Sequence, residues 1–292
     1  MDPKGKLLII GGAEDKGNNG TDMEGKNKDF QQFQILRELL PTKNGKKKIE
    51  IITTASSMPE EMEKTYKEAF KKIGYPEIGF LNIKDKQEAR DPKLVARVEK
   101  AHAAFFTGGD QFKLSTILGG TDLVSMIKER YYHDSDFVLA GTSAGAMVMS
   151  KIMIYEGGVT EAILKNDMKL TAGLGFFDTC IIDTHFIRRG RFGRLAHAIT
   201  MNPEALGIGL GEDTAMIIEK GDRATCRGSG MVVIIDGSEI EQTNITNADD
   251  DTPIFVESLK VHLLCDAVVF SIKERKVEME KAKRKAQPQQ NK

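Results

Sequence analysis

Short, almost wholly apolar runs separated by helical stretches set the strongest limit on what this chain can fold into. Leu7-Leu8-Ile9-Ile10, Ile49 to Thr54, Ile78 to Leu81, Ala103 to Thr107 and Phe137 to Ala140 are each one strand long. A strand with one wet face alternates apolar and polar residues, whereas a continuous run suits a strand buried on both faces. Between these runs lie segments of helical period. Phe30 to Leu40 carries apolar residues at Phe30, Phe33, Ile35, Leu36, Leu39 and Leu40. A helix begun by Pro59 turns Met62, Tyr66, Phe70 and Ile73 inward. Pro92 to Ala101, Leu114 to Ile117 and Leu123 to Tyr131 complete the set. Strands alternating with helices predict an α/β fold with a mostly parallel sheet covered on both faces.

The second half reads differently. Lys151 to Tyr155, Thr179 to Asp183 and Ala205 to Leu210 predict further strands, Leu195 to Met201 a helix, and Ala215 to Ile218 an extended segment. Residues 220 to 270 are strand-rich and glycine-punctuated, so extra C-terminal β structure is expected to close the same domain, residues 1–272. Residues 273–292 hold dense charge and few apolar side chains, which predicts a frayed helix or a disordered tail.

Composition excludes several classes. The chain has 292 residues, 40% of them hydrophobic and 29% charged, as expected of an ordinary globular protein. A net charge of -1 argues against a general nucleic-acid or membrane-surface binder. No apolar run approaches the roughly 20 residues that cross a bilayer. Met1 to Lys6 lacks the apolar segment and cleavage site of a signal peptide. Cys180, Cys226 and Cys265 show no metal-ligand spacing and suit reduced thiols in a cytoplasmic protein. No metal or other cofactor is expected.

Chemistry is concentrated at Gly141-Thr142-Ser143-Ala144-Gly145, which follows a predicted strand and precedes a small-residue helical pattern. A serine at the apex of so tight a turn needs neighbours without bulk, and its hydroxyl stands clear at the end of the sheet. The Ala144 N–H, in the first helical turn, is free to meet a developing oxyanion. The Gly11-Gly12-Ala13-Glu14-Asp15 turn lacks the full G-x-G-x-x-G pattern, so a dinucleotide site is rejected there in favour of a plain strand-end turn.

A serine nucleophile needs a base. Of the five histidines, His102 and His133 lie at the amino ends of predicted strands, His197 in an amphipathic helix and His262 in an apolar run. His185 alone follows the carboxyl end of a buried strand, where sites gather in parallel sheets. Glu212 stands at a similar strand end and is a candidate to orient it; Asp213, Glu156 and Glu161 remain rivals on sequence physics alone. Gly108-Gly109 ends another strand, so the Gly109 N–H is a candidate second oxyanion donor. The order serine, histidine, acid disfavours an α/β-hydrolase. Arg188, Arg189, Arg191 and Arg194 crowd the segment after His185, and guanidinium forks hold carboxylates in a bidentate way.

Taken together, Ile10 to Lys16, Phe106 to Gln111, Gly141 to Ala146, Asp183 to Leu195 and Gly207 to Ala215 resemble the cyanophycinase family of serine peptidases, relatives of the aspartyl dipeptidases. The blocks span most of residues 5 to 218. The resemblance implies a three-layer α/β/α sandwich like class I glutamine amidotransferase domains, and a triad of Ser143, His185 and Glu212. It also implies a pocket lined by Gln111, Asp183, Thr184, Arg189, Arg191 and Arg194. The implied reaction is hydrolysis of cyanophycin, an aspartate polymer bearing arginine on each β-carboxyl group, to β-aspartyl-arginine through an acyl-enzyme. Thr184 stands where the cyanobacterial enzymes are expected to carry glutamine, which leaves room for other aspartate-containing peptides as substrate. An aspartyl dipeptidase and an idle fold that binds acidic ligands are the other readings; a homodimer is compatible with each.

Overall fold

The computed structural model describes residues 2–17, 31–41, 47–157 and 162–278. In its first half β1 (Lys6–Ile10) is followed by the one-turn α1 (Gln34–Arg37), β2 (Lys48–Ile52), α2 (Pro59–Lys72) and β3 (Glu77–Leu81). Next come α3 (Pro92–Glu99), β4 (Ala103–Phe106), α4 (Gln111–Leu118), α5 (Asp122–His133) and β5 (Val138–Thr142). The five strands run parallel in the order β1-β5-β4-β2-β3. Successive residues of a strand point to opposite faces, and β1 shows why it has no polar face. Leu7 and Ile9 pack with Leu114, Leu118, Leu123 and Ile127 of α4 and α5. Leu8 and Ile10 pack with Tyr66 and Phe70 of α2 and Ile35 and Leu36 of α1. Each such side chain fully buried contributes about 1.5–3 kcal/mol. Helix, sheet and helix thus form the expected layers.

The predicted helix over Phe30 to Leu40 is shorter than its period suggests. The buried carboxylate of Asp15 accepts the Phe33 N–H at 2.8 Å, and Phe33 turns left-handed with φ 58°, so helical geometry begins only at Gln34. Phe30 and most of the loop before it lie outside the described residues.

After β5 the chain makes α6 (Ala144–Met147) and the hairpin β6 (Ile152–Gly157) with β7 (Met168–Ala172). There follow β8 (Cys180–Asp183), α7 (Phe192–Met201), β9 (Leu206–Leu210), β10 (Thr214–Glu219), β11 (Arg223–Gly228) and β12 (Val232–Asp236). The last strands are the small pair β13 (Gln242–Thr243) and β14 (Val256–Glu257), then β15 (Lys260–Leu264), β16 (Val269–Ser271) and β17 (Lys276–Glu278). Four of these lengthen the central sheet on the β1 side, all antiparallel, as β17-β16-β11-β10. Four others form a second sheet, β15-β12-β9-β8, in which only β8 and β9 are parallel. This second sheet has its own core, where Leu195 and Ile199 of α7 meet Phe186, Val233 and Ile235. The expected tail therefore begins as sheet: β17 pairs with β16 over Lys276–Glu278. Residues 279–292 lie outside the described residues.

The two sheets meet where it matters for chemistry. β1 and β5 end together, with Ile10 opposite Thr142. β8 and β9 end close by, and the His185 N–H just beyond β8 donates to the Gly11 carbonyl just beyond β1 at 2.8 Å.

Candidate active site

Ser143 sits between β5 and α6 with φ 54° and ψ −121°. A side chain in that region costs of order 1–3 kcal/mol, a strain that persists only where the surroundings enforce it. The enforcement is steric. A Cβ at Gly145 would lie 2.2 Å from the Phe106 carbonyl oxygen, and one at Gly141 would lie 2.2 Å from that of Gly145. The turn is too tight for bulk at either flank.

The serine hydroxyl lies 3.0 Å from Nε2 of His185. On the far side of the ring, Nδ1 stands 2.6 Å from Oε1 of Glu212. A proton on Nδ1, donated to the carboxylate, leaves Nε2 as the acceptor facing the hydroxyl. Arg188 donates to the other oxygen of Glu212 at 2.9 Å. Burial alone would push the Glu212 carboxyl up, but the bonds from Arg188 and His185 outweigh it and hold the group below the usual carboxylate value. Three residues from three strand ends thus stand in one hydrogen-bonded line. Asp213 is engaged elsewhere, accepting from the Asp15 N–H at 3.0 Å and the Ser229 hydroxyl at 2.7 Å. Glu156 pairs with Lys169 at 2.7 Å, and Glu161 lies outside the described residues.

Gly108 runs against the nucleophile: a Cβ there would stand 3.2 Å from that of Ser143. Among the described residues no backbone carbonyl outside regular elements accepts the Gly109 or Ala144 N–H, and the first turn of a helix offers Ala144 none.

The residues expected to line a substrate pocket fall into three kinds. Asp183 and Thr184 are 0% and 1% exposed, so their side chains are interior groups. Arg194 grips Asp183 through Nε at 2.6 Å and Nη2 at 2.5 Å, while Arg191 donates to Asp183 at 3.1 Å and to the Thr184 carbonyl at 2.7 Å. Gln111 spends its amide nitrogen on the Ile154 and Tyr155 carbonyls at 3.3 and 3.4 Å, fastening α4 to the β6 hairpin. Arg189 is exposed.

The cleft that opens over Ser143 and His185 has a volume of about 490 Å³. Gly108 and Gly109, expected beside the serine, form one wall, while the β1 turn through Lys16 and the segment from Ser57 into α2, with Glu61 and Tyr66, form walls that sequence reasoning had not assigned to a cleft.

The end of β1 and the turn after it, expected to be a plain one, hold the backbone of Ser143, of His185 and of the neighbour of Glu212. The Ile10 carbonyl accepts the Ser143 N–H at 3.0 Å, the Gly11 carbonyl that of His185 at 2.8 Å, and the Gly12 carbonyl that of Asp213, next to Glu212, at 2.9 Å. Gly12, with φ 95°, lies flat against the imidazole, where a Cβ would stand 2.5 Å from Cε1 and Nε2. The available signal was two adjacent glycines ending the strand that neighbours the serine strand.

Comparison with known proteins shows the family. Residues 17–226 match the model of Peptidase family S51. Cyanophycinase of Synechococcus elongatus is 32% identical over 276 residues, 94% of this chain and 81% of that protein. Cyanophycinase of Geminocystis herdmanii is 34% identical over 262 residues, 89% of this chain and 91% of that one. In fold, the chain is similar to a crystal structure of a peptidase from an acI-B1 Actinobacterium, with a TM-score of 0.63 and 23% identity over 92% of this chain and 98% of that one. A putative Peptidase E protein from Listeria monocytogenes gives 0.51 at 16% identity, over 77% of this chain and 99% of that one. A line of serine, histidine and glutamate at the carboxyl ends of parallel strands, in a chain that matches this family over most of its length, has one reading: the protein belongs to peptidase family S51 and is a serine-type peptidase.

Proposed function

We propose that the protein hydrolyses cyanophycin at its aspartyl backbone, releasing β-aspartyl-arginine, in the cytoplasm. The observation that carries the reading is the 3.0 Å and 2.6 Å chain from Ser143 through His185 to Glu212, in a chain about one-third identical to cyanophycinases across nine-tenths of its length.

Nε2 of His185 takes the hydroxyl proton as Oγ of Ser143 attacks the aspartyl carbonyl, and the carbonyl oxygen becomes an oxyanion. The N–H groups of Ala144 and Gly109 hold that charge; a donor of this kind is worth roughly 3 kcal/mol in the barrier. The imidazolium, steadied by the Glu212 carboxylate, returns its proton to the departing amine, leaving an acyl-serine. Water activated by the same imidazole then releases the acid and restores the serine. Arg189, exposed beside His185, offers a guanidinium to a substrate carboxylate, and the Gln111 amide oxygen remains for a substrate donor. Asp183, Thr184, Arg191 and Arg194 act from within, by holding the segment that carries the base.

The test is incubation of the protein and of Ser143→Ala with purified polymer, the products identified by mass. Dipeptide release by the parent protein alone supports the reading. Unchanged release by Ser143→Ala refutes the nucleophile. Turnover of short Asp-X peptides with intact polymer transfers the activity to an aspartyl dipeptidase.

A further inference from the structure

Glu14 is a buried acid beside the nucleophile with no part in the steps above. It is 2% exposed, yet its carboxylate is fully occupied. Oε2 accepts from the Thr142 hydroxyl at 2.7 Å; Oε1 accepts from the Tyr66 hydroxyl and lies 3.1 Å from the Lys16 ammonium. Lys16 in turn stands 5.3 Å over the Tyr66 ring. Taking a carboxylate out of water is costly unless charge and hydrogen bonds compensate. Here three donors do so, and they belong to three separate walls of the catalytic cleft.

The position of those donors is informative. Thr142 immediately precedes Ser143, whose backbone is strained, and a β-branched side chain has few χ1 choices. Fixing its hydroxyl fixes the residue that launches the turn. Glu14 also follows Gly12 and Ala13, both left-handed with φ 95° and 50°, which aim its side chain inward. Gly12 is the residue that lies against the imidazole. One carboxylate therefore ties the seat of the nucleophile to the turn behind the base, with α2 as the brace through Tyr66. A fold-stabilising role alone would be served as well by an apolar side chain of like volume.

We infer that Glu14 is a positioning residue, acting through Thr142 to hold Ser143 in reach of His185. The inference rests on Ser143 being the nucleophile. The bond from Thr142 orients the elbow before substrate arrives, so its loss slows attack rather than binding. A displacement of about 1 Å in a reacting group can lower a rate about 100-fold.

The experiment measures phosphonate labelling of Ser143, with a serine-directed fluorophosphonate and intact-protein mass as readout. It needs no natural substrate. Absence of label on the parent protein removes the reading of Ser143 itself, whatever Glu14 does. With the parent labelled, Thr142→Val and Glu14→Leu, which leaves the Thr142 hydroxyl no acceptor at residue 14, are expected to label at least about 10-fold more slowly at saturating reagent, and Thr142→Ser at close to the parental rate. Adding Thr142→Val to Glu14→Leu should slow labelling no further, because the bond it removes is already gone. Far-ultraviolet circular dichroism and thermal melts establish that the compared samples are folded. If Glu14→Leu does not fold, Thr142→Val and Thr142→Ser decide the matter. A folded Thr142→Val that labels at the parental rate, or a double variant whose losses multiply, overturns the inference.

Discussion

Replacing Gly12 by alanine puts one methyl group where the imidazole of His185 now lies. The added Cβ would sit 2.5 Å from both Cε1 and Nε2, and ordinary contact begins at 3.4 Å. Backbone on both sides of Gly12 is pinned by carbonyl bonds to His185 and Asp213, so the ring must retreat by roughly 0.9 Å, a shift on the scale known to be felt in catalysis. Along the line to Ser143, such a retreat would stretch the 3.0 Å contact to about 3.9 Å, past the limit of a hydrogen bond. The expected loss is about 100-fold in kcat/KM, equal to about 2.7 kcal/mol at the barrier. A control separates this from backbone strain. Gly74 has a similar left-handed φ of 79° but open space where its Cβ would go. Gly74→Ala is expected to cost about 1 kcal/mol of stability and leave the rate intact. Initial rates and phosphonate labelling, with thermal melts alongside, measure both variants. A Gly12→Ala enzyme within about 3-fold of the parent, a difference of only about 0.7 kcal/mol, refutes the claim that this turn sets the place of the base.

Other expectations follow from the same geometry. Glu212→Gln keeps the shape but offers the ring no charge and invites the wrong tautomer, so kcat should fall on the order of 10³–10⁴-fold in a steady-state assay. Arg188→Ala removes a donor from Glu212, whose folded carboxyl lies below its ordinary value. That depression contributes stability above the ordinary carboxylate value and is lost as pH falls through the lowered one. The variant should therefore show a higher Glu212 pKa by NMR titration and a smaller fall in stability on acidification. Burial pushes the Cys180 and Cys226 thiols up to about 12 each, while Cys265 is exposed. A thiol reagent at neutral pH should modify Cys265 alone in the native protein, read by peptide mass, and all three after denaturation.

The sequence showed most clearly what short-range pattern controls. Runs such as Leu7 to Ile10 and Ala103 to Phe106 are short and end in glycine-rich turns, which reads as strands with two dry faces, and the glycines around Ser143 marked a tight turn. The acid was harder. Glu212 and Asp213 are adjacent, both strand-end carboxylates, and what separates them is a bond to Asp15, 198 residues away. Pairing across such distances leaves no periodic trace. For the same reason nothing local announced that β8 and β9 leave the central sheet, since a strand buried in either sheet has the same apolar run. The arginines after His185 were legible as charge but not as contacts: Arg191 and Arg194 turn inward to Asp183, a residue their own spacing did not reveal as their partner. The cleft was least visible. Its walls join Gly12 to Lys16 with Ser56 to Tyr66, which come together only when α2 packs over β1.

Peptide mapping of the protein after reaction with a serine-directed fluorophosphonate tests the central claim most directly. The label should appear on Ser143, at a rate that His185→Ala reduces by orders of magnitude. Label on another serine, or equal labelling of Ser143 without the imidazole, would contradict it.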